Sequence, residues 1–345
     1  MKIVILSLVF ICSVFASEIS AHPAWAIVAD DKNQVFVSDL EKIWKIDAQG
    51  KVSVFSERHT HEMTLDKDGN LLGEDLHYEP ATQKYTSSLW KIAPNGEFSY
   101  ILAPTETPPK GISTWKNPAG ATYYFGQTDT EPRENFLLKR TAGGEVKVLF
   151  GDRQKAMRHR QIVPYSFAGI TFAPDGSLYV KNAATIWKVT ANDAVSVFVT
   201  KEQMSAIVPD MMLFGLAVDA ENNVYTADHN NKKTLKIAPD KRISVVFQSE
   251  SNWSPTGVFY RNKNLYVLEY KSVPSNTNPV IRVQRIAADG KVRVLATIGE
   301  NRSAAPNVSA SGNENKPGEQ TAKACAPSSL AVAVAACLLL GKETS

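Results

Sequence analysis

Between residues 26 and 299, short apolar runs of four to seven residues alternate with polar clusters centred on Asn, Asp and Gly. The runs are rich in Val, Ile, Phe, Tyr and Trp, and they are too short for helices but the right length for strands. One order of runs recurs six times, starting at Ala26, Glu62, Gly111, Gly169, Gly215 and Gly257, with a mean spacing of about 46 residues. Each unit holds four runs. Lys-Asn, Asp-Gly or Asn-Asn separates the first two, and Gln-Gly, Asn-Gly, Gly-Gly or Asp-Gly separates the last two. Such pairs close hairpins because Asn and Gly enter the left-handed backbone region cheaply. Four antiparallel strands repeated at this period make one blade of a propeller. A single four-stranded sheet cannot cover both of its faces, and stacking in a ring buries them. The pattern therefore predicts an all-β, six-bladed β-propeller over 22–299, four antiparallel strands per blade, with negligible helix and whole blades at both ends.

The flanks read differently. Met1-Lys2 precedes an apolar run over Ile3–Phe15, and Val14-Phe15-Ala16 supplies short residues for cleavage. This predicts a signal peptide over 1–16, with Ala21 as the second choice of cleavage site. Cys12 leaves with it, and only Cys325 and Cys337 remain, so no disulfide can staple the repeats. Residues 300–345 read as a flexible polar tail with a short apolar stretch, Leu330–Leu340, too short for a transmembrane span. Spacer and stretch faintly resemble a lipid-anchor signal, but polar residues 341–345 follow; a peripheral tail is the plainer reading. The expected address is secreted or periplasmic. The 345 residues carry a net charge of +3, too weak a bias to suggest nucleic acid as a partner, and a monomer is expected.

Gly215-Leu216-Ala217-Val218-Asp219 with Asn223-Val224-Tyr225-Thr226-Ala227-Asp228 resembles the NHL repeat. Pro23-Ala24-Trp25, leading into Val35-Phe36-Val37-Ser38-Asp39 and Trp44-Lys45-Ile46-Asp47, resembles the opening of the senescence marker protein, gluconolactonase and luciferin-regenerating family. That resemblance implies a propeller with a central divalent-metal site built from a Glu before Gly-Pro, an Asn before Gly and an Asp before Gly. At the matching positions stand Ala21, Ala168 and Phe214, none of which can ligate a metal. The sequence assigns no other metal or cofactor. Propellers serve many functions, so the fold leaves the activity open.

Candidate chemistry concentrates in the second repeat, in Arg58-His59-Thr60-His61-Glu62 and Glu74-Asp75-Leu76-His77. Loops that enter a blade and loops that join its second and third strands open on one face, so the two clusters are expected together. His59, His61, Glu62 and Glu74 are the candidate acid–base groups or transition-metal ligands, against the plainer reading of solvated loops. Residues preceding the inner strands should line the channel mouth: Trp25, His61, Lys110, Ala168, Phe214 and Thr256. Trp25 and Phe214 would form an aromatic wall. A ring at the second-strand ends, Asp39, Glu74, Gln127, Asn182, Asp228 and Glu269, reads as turn-capping. The basic loop after Gly151, with Arg153, Arg158 and Arg160, could add a cationic rim. A long loop is expected over Asp75–Ser88. Phosphate loops, nucleophile elbows and zinc-protease helices are missing from the sequence. Two functions follow: binding of a small molecule, glycan or protein at the mouth, or a hydrolase or lyase that uses the second-blade cluster.

Overall fold

The computed structural model describes residues 26–299 apart from 80, 83, 128–133, 154–168, 183–184 and 272–279. The predicted signal segment, the tail, Ala21, Trp25, Arg158, Arg160 and Ala168 lie outside the described residues. Blade 1 comprises β1 (Ile27–Ala29), β2 (Val35–Ser38), β3 (Ile43–Ile46) and β4 (Val52–Ser56). Blade 2 comprises β5 (Met63–Leu65), β6 (Leu71–Glu79), β7 (Lys84–Ile92) and β8 (Phe98–Thr105). Blade 3 holds β9 (Thr122–Gln127), β10 (Asn135–Arg140) and β11 (Val146–Phe150). Blade 4 holds β12 (Ile170–Phe172), β13 (Leu178–Asn182), β14 (Thr185–Val189) and β15 (Val195–Val199). Blade 5 holds β16 (Leu213–Val218), β17 (Val224–Asp228), β18 (Lys233–Ile237) and β19 (Ile243–Gln248), and blade 6 holds β20 (Trp253–Arg261), β21 (Asn264–Lys271), β22 (Val280–Ile286) and β23 (Val292–Ile298). Each sheet is an antiparallel meander in chain order. In blade 3 the inner strand shrinks to a bridge between Lys116 and Thr122, supported by Tyr123 N donating to the Trp115 carbonyl at 2.9 Å. A short helix, α1 (Lys201–Ser205), is capped by Thr200 and Gln203 and precedes blade 5.

The turns follow from their residues. Asp30, Asp66 and Asp219 each fold back to accept backbone N–H groups two and four residues on, at 2.8–3.0 Å, closing the first hairpins of their blades. Packing between blades is apolar at five of the six seams. Ala26, Val28 and Phe36 meet Leu71 and Trp90 between blades 1 and 2. Tyr123, Phe125 and Leu137 meet Val180 and Val189 between blades 3 and 4. Tyr179 and Ile186 meet Leu213, Leu216 and Leu235 between blades 4 and 5, and Phe214, Ala217 and Tyr225 meet Val258 and Val267 between blades 5 and 6. Among the described residues no such cluster spans blades 2 and 3; Tyr124, Phe136 and Leu138 pack within blade 3 alone.

Among the described residues the ring closes without sharing a strand. Ile27, Val35 and Val37 of blade 1 pack on Leu268, Ile281 and Ile298 of blade 6. Arg261 adds an ion pair to Asp31 at 2.6 Å, and Tyr266 donates to Asn33 at 3.3 Å. The expected long loop over Asp75–Ser88 is instead hairpin: β6 and β7 run on in register to the pair Glu79–Lys84.

Candidate functional site

Register fixes which way each side chain points, because successive residues of a strand face opposite sides. Ile27 pairs with Val37, Met63 with Gly73 and Ile170 with Val180. Val37, Gly73 and Val180 are thus equivalent, and so are Ser38, Glu74 and Lys181 one step further on. This corrects the turn-capping ring by one residue in blade 2, where Asp75, not Glu74, ranks with Asp39. Asp39 does cap, accepting from Glu41 N at 2.9 Å, Lys42 N at 2.7 Å and Trp44 Nε1 at 2.6 Å. Asp228 likewise accepts from Met212 N at 3.2 Å and Asn231 Nδ2 at 2.8 Å. The side chains of Gln127 and Asn182 are outside the described set.

The slip divides the predicted quartet. Asp75 lies on the blade-1 side of β6 and lines a groove of about 450 Å³ with Ser56, Glu57, Arg58 and His59. Arg58 lies 3.5 Å over the Phe98 ring at its edge. His59 donates from Nδ1 to the Leu40 carbonyl, on a residue held at φ +77°, and its ring meets His61 edge-on at 4.5 Å. Glu74 faces the other way, toward blade 3. One buried residue ties the halves together: Thr60 accepts Ser38 Oγ at its carbonyl, 2.8 Å, and its own hydroxyl reaches the carbonyls of Glu62 at 2.9 Å and Glu74 at 3.0 Å.

Lys181 is the residue the sequence reading missed. Its side chain is fully buried, and Nζ donates to the Leu213 carbonyl of blade 5 at 2.8 Å. The charge acting on it is Glu62, itself buried, on the connection into blade 2. Glu62 and Lys181 belong to blades 2 and 4, which are not neighbours in chain order. Glu62 precedes β5 and Lys181 lies near the end of β13, both buried. A signal existed: Lys181 stands where other blades place Ser38, Ala227 and Leu268.

Phe214, expected in the aromatic wall, and Thr256, expected at the mouth, are both core residues. The sequence reading began their strands at Gly215 and Gly257, but β16 begins at Leu213 and β20 at Trp253. Both residues therefore lie inside strands, next to bulges, and are buried at 2 % and 0 % exposure. Phe214 belongs to the core between blades 5 and 6. Lys110 is half-buried, its carbonyl accepting from Arg140 Nη1 at 3.2 Å, and burial holds its ammonium below the usual lysine range. His77 is exposed, 4.0 Å from Glu79.

As for the family's central metal, the side chain at the position of its Asp ligand is a core phenylalanine without a donor atom. Among the described residues no three His, Cys, Asp or Glu come together as a set able to hold a metal ion. The site does not fit that ion, and no chemistry here is routed through one.

Electrostatics favour unusual protonation of two buried side chains. Loss of hydration and the adjacent Asp75 charge push the Glu74 carboxyl up to about 8. Burial drives Lys181 down to about 7, against the opposing pull of Glu62. The folded protein holds the Glu74 proton more tightly than the unfolded chain, where the group titrates near 4.5. Its contribution to stability is complete below about pH 4.5 and is lost as pH rises toward 8. Lys181 acts with the opposite sign, its cost setting in as pH falls from 10.5 toward 7. Thermal melts of Glu74→Gln should show a flatter fall in Tm between about pH 5 and 8 than the parent protein; equal slopes would contradict the assignment.

A second polar cluster lies in the seam between blades 5 and 6. Glu269, with no exposed surface, accepts from Arg282 Nε at 2.7 Å and Gln284 Nε2 at 3.0 Å. Arg282 also stacks 4.3 Å over Trp253 and reaches Glu250 at 3.2 Å. Among the described residues, six of the eight buried side-chain polar atoms without a hydrogen-bond partner lie in or beside this cluster: His229 Nδ1, Thr234 Oγ1, Ser249 Oγ, Glu269 Oε1, Arg282 Nη2 and Gln284 Oε1.

Comparison with solved structures adds to this geometry. A structural-genomics protein provisionally described as a gluconolactonase superposes with a TM-score of 0.50 at 16 % identity, over 79 % of this chain and 91 % of the other. Regucalcin from Agrobacterium tumefaciens, titled a calcium-binding protein, gives 0.49 at 14 % over 71 % and 81 %. A streptogramin B lyase gives 0.47 at 15 % over 78 % and 81 %. The chain is a six-bladed β-propeller with the fold seen among gluconolactonase-like proteins. At these identities the likeness is one of fold. No protein-family model and no curated protein sequence matches the chain.

Proposed function

We propose that the protein is an exported propeller that binds a small molecule at its channel mouth, through His61, Glu62 and Lys181, with Lys110 at the edge. What supports this reading is that two buried groups of opposite charge type, Glu62 and Lys181, come from non-adjacent blades, the Glu62 charge opposing the effect of burial on the Lys181 ammonium. Burying charge is costly and such pairs seldom raise stability, so the retention of both groups supports a role in recognition. A hydrolase or lyase is the second reading, favoured by one observation: Glu74 and Lys181 both titrate near neutrality, where acid–base groups are most effective.

The test is a thermal-shift screen of a small-molecule panel that includes lactones and aryl esters, with turnover followed in parallel. A binder should raise Tm in the parent protein and lose most of that rise in His61→Ala and Lys181→Met. An unchanged rise in both variants moves the site away from the mouth. Turnover of a lactone or ester would promote the enzymatic reading.

A further inference from the structure

The groove beside blade 2 carries charge that neither the fold nor the mouth site uses. It has a volume of about 450 Å³ and is lined by Ser56, Glu57, Arg58, His59 and Asp75. Glu57 is already engaged, because Lys42 holds it at 2.7 Å. Arg58 and Asp75 are both half-buried. Among the described residues neither side chain has an ion-pair or hydrogen-bond partner, with each other or with any neighbour. The Arg58 guanidinium lies 3.5 Å over the Phe98 ring, a stacking distance that occupies its face and leaves its N–H edge to an acceptor. A cation and an anion therefore line one groove, each partly stripped of water and neither neutralised by the other. His59 adds an acceptor. A carbonyl oxygen can only accept, so the bond from His59 Nδ1 to Leu40 places the proton on Nδ1 and leaves Nε2 of the neutral ring with its lone pair.

We propose that this groove is a second binding site, for a small zwitterion: a molecule that carries both an ammonium and a carboxylate, of which free amino acids are the simplest class. Arg58 takes the carboxylate through its fork of N–H donors. Asp75 and His59 Nε2 take the ammonium, which has N–H donors and no acceptor. None of these residues belongs to the set proposed for the mouth, so the two sites stand or fall separately.

The charge pattern selects the ligand class. A simple carboxylate would pair with Arg58 but meet Asp75 as a like charge, and a simple amine would pair with Asp75 but meet Arg58. Only a molecule with both signs answers both groups. The walls are also set before any ligand arrives. Asp39 clamps the turn that carries Leu40, accepting from Glu41 N at 2.9 Å and Lys42 N at 2.7 Å, and Leu40 in turn holds the His59 ring. Thr60, the next residue, is buried and bonded to both blades 1 and 2. Groups held in this way lose little freedom on binding. The volume suits one small molecule, since such sites run from about 300 to 1,000 Å³.

The experiment is titration calorimetry on the intact protein at low ionic strength, where surface charges are least screened. The probes are glycine, β-alanine, γ-aminobutyrate and ε-aminocaproate, which separate the two charges by increasing lengths, with propionate and propylamine as single-charge references. At least one zwitterion should bind at least about tenfold more tightly than either reference. Arg58→Met, which keeps an unbranched chain over Phe98, should weaken that zwitterion by about tenfold without weakening propylamine. Asp75→Asn should weaken it by a similar factor without weakening propionate. Circular dichroism and Tm check that both variants are folded; if Arg58→Met is not, Arg58→Lys, which keeps the charge and loses the fork, is read in its place with the same expected direction. Zwitterions that bind no better than the references overturn the proposal on the parent protein alone. Folded variants that bind as the parent does overturn it too, and so does a loss confined to one of them, which would mark a site for a single charge.

Discussion

Gly73→Ala is expected to lower Tm by about 6–12 °C, from a loss of about 3 kcal/mol. The cross-strand partner of Gly73 is Trp90, whose indole is fully buried in the seam between blades 1 and 2. A methyl group on Gly73 would lie 2.0 Å from Trp90 Cζ2 and 2.3 Å from Cη2. The indole cannot yield, because Ala26, Val28, Phe36, Met63 and Leu71 enclose it. In blades 1 and 4 the same rank holds Val37 opposite Trp44 and Val180 opposite Trp187. Those indoles are only half-buried and turn elsewhere, that of Trp44 to Asp39. Glycine is therefore required by the inward-lying tryptophan of blade 2 and by nothing in the repeat as such. Adding Trp90→Leu to Gly73→Ala should recover part of the loss. A single variant melting within about 2 °C of the parent would show that the seam can repack.

Glu269→Ala should cost about 3–5 kcal/mol, measured by urea unfolding. The loss comes from what remains: Arg282, 7 % exposed, would stay in the seam between blades 5 and 6 with only the exposed Glu250 as an anionic partner. That seam already holds Arg282 Nη2 and Gln284 Oε1 without partners, so it has little spare bonding to offer. Arg282→Met in the same background should return much of the stability, since a well-packed apolar replacement removes the stranded charge. A double variant no more stable than Glu269→Ala would mean that the carboxylate contributes by its own packing.

The blades were legible because their signals are local. Asp30, Asp66 and Asp219 announce their turns, and apolar runs of strand length announce the sheets. Blade 2 escaped by one residue because Glu74 and Asp75 are both acids; alternation cannot tell two adjacent carboxylates apart, whereas the pairing of Met63 with Gly73 can. Phe214 and Thr256 were misassigned for a related reason. The glycines after them look like strand starts but are bulges, Gly215 at φ +58°. Lys181 depends on a tertiary fact, that its side chain is buried against the Leu213 carbonyl of the next blade. No spacing within either repeat encodes that.

The closure of the ring has a consequence for how such a molecule can be encoded. Blades 1 and 6 are held by Ile27, Val37, Leu268 and Ile298 and by the Asp31–Arg261 pair, the same kind of side-chain contact that joins the other blades. Among the described residues no strand is contributed by one end of the repeats to a sheet of the other. The threading order of the blades is therefore a matter of genetic punctuation. With residue 299 linked to residue 26, a circularly permuted gene opening at any other blade connection specifies the same six sheets, the same six seams and the same channel.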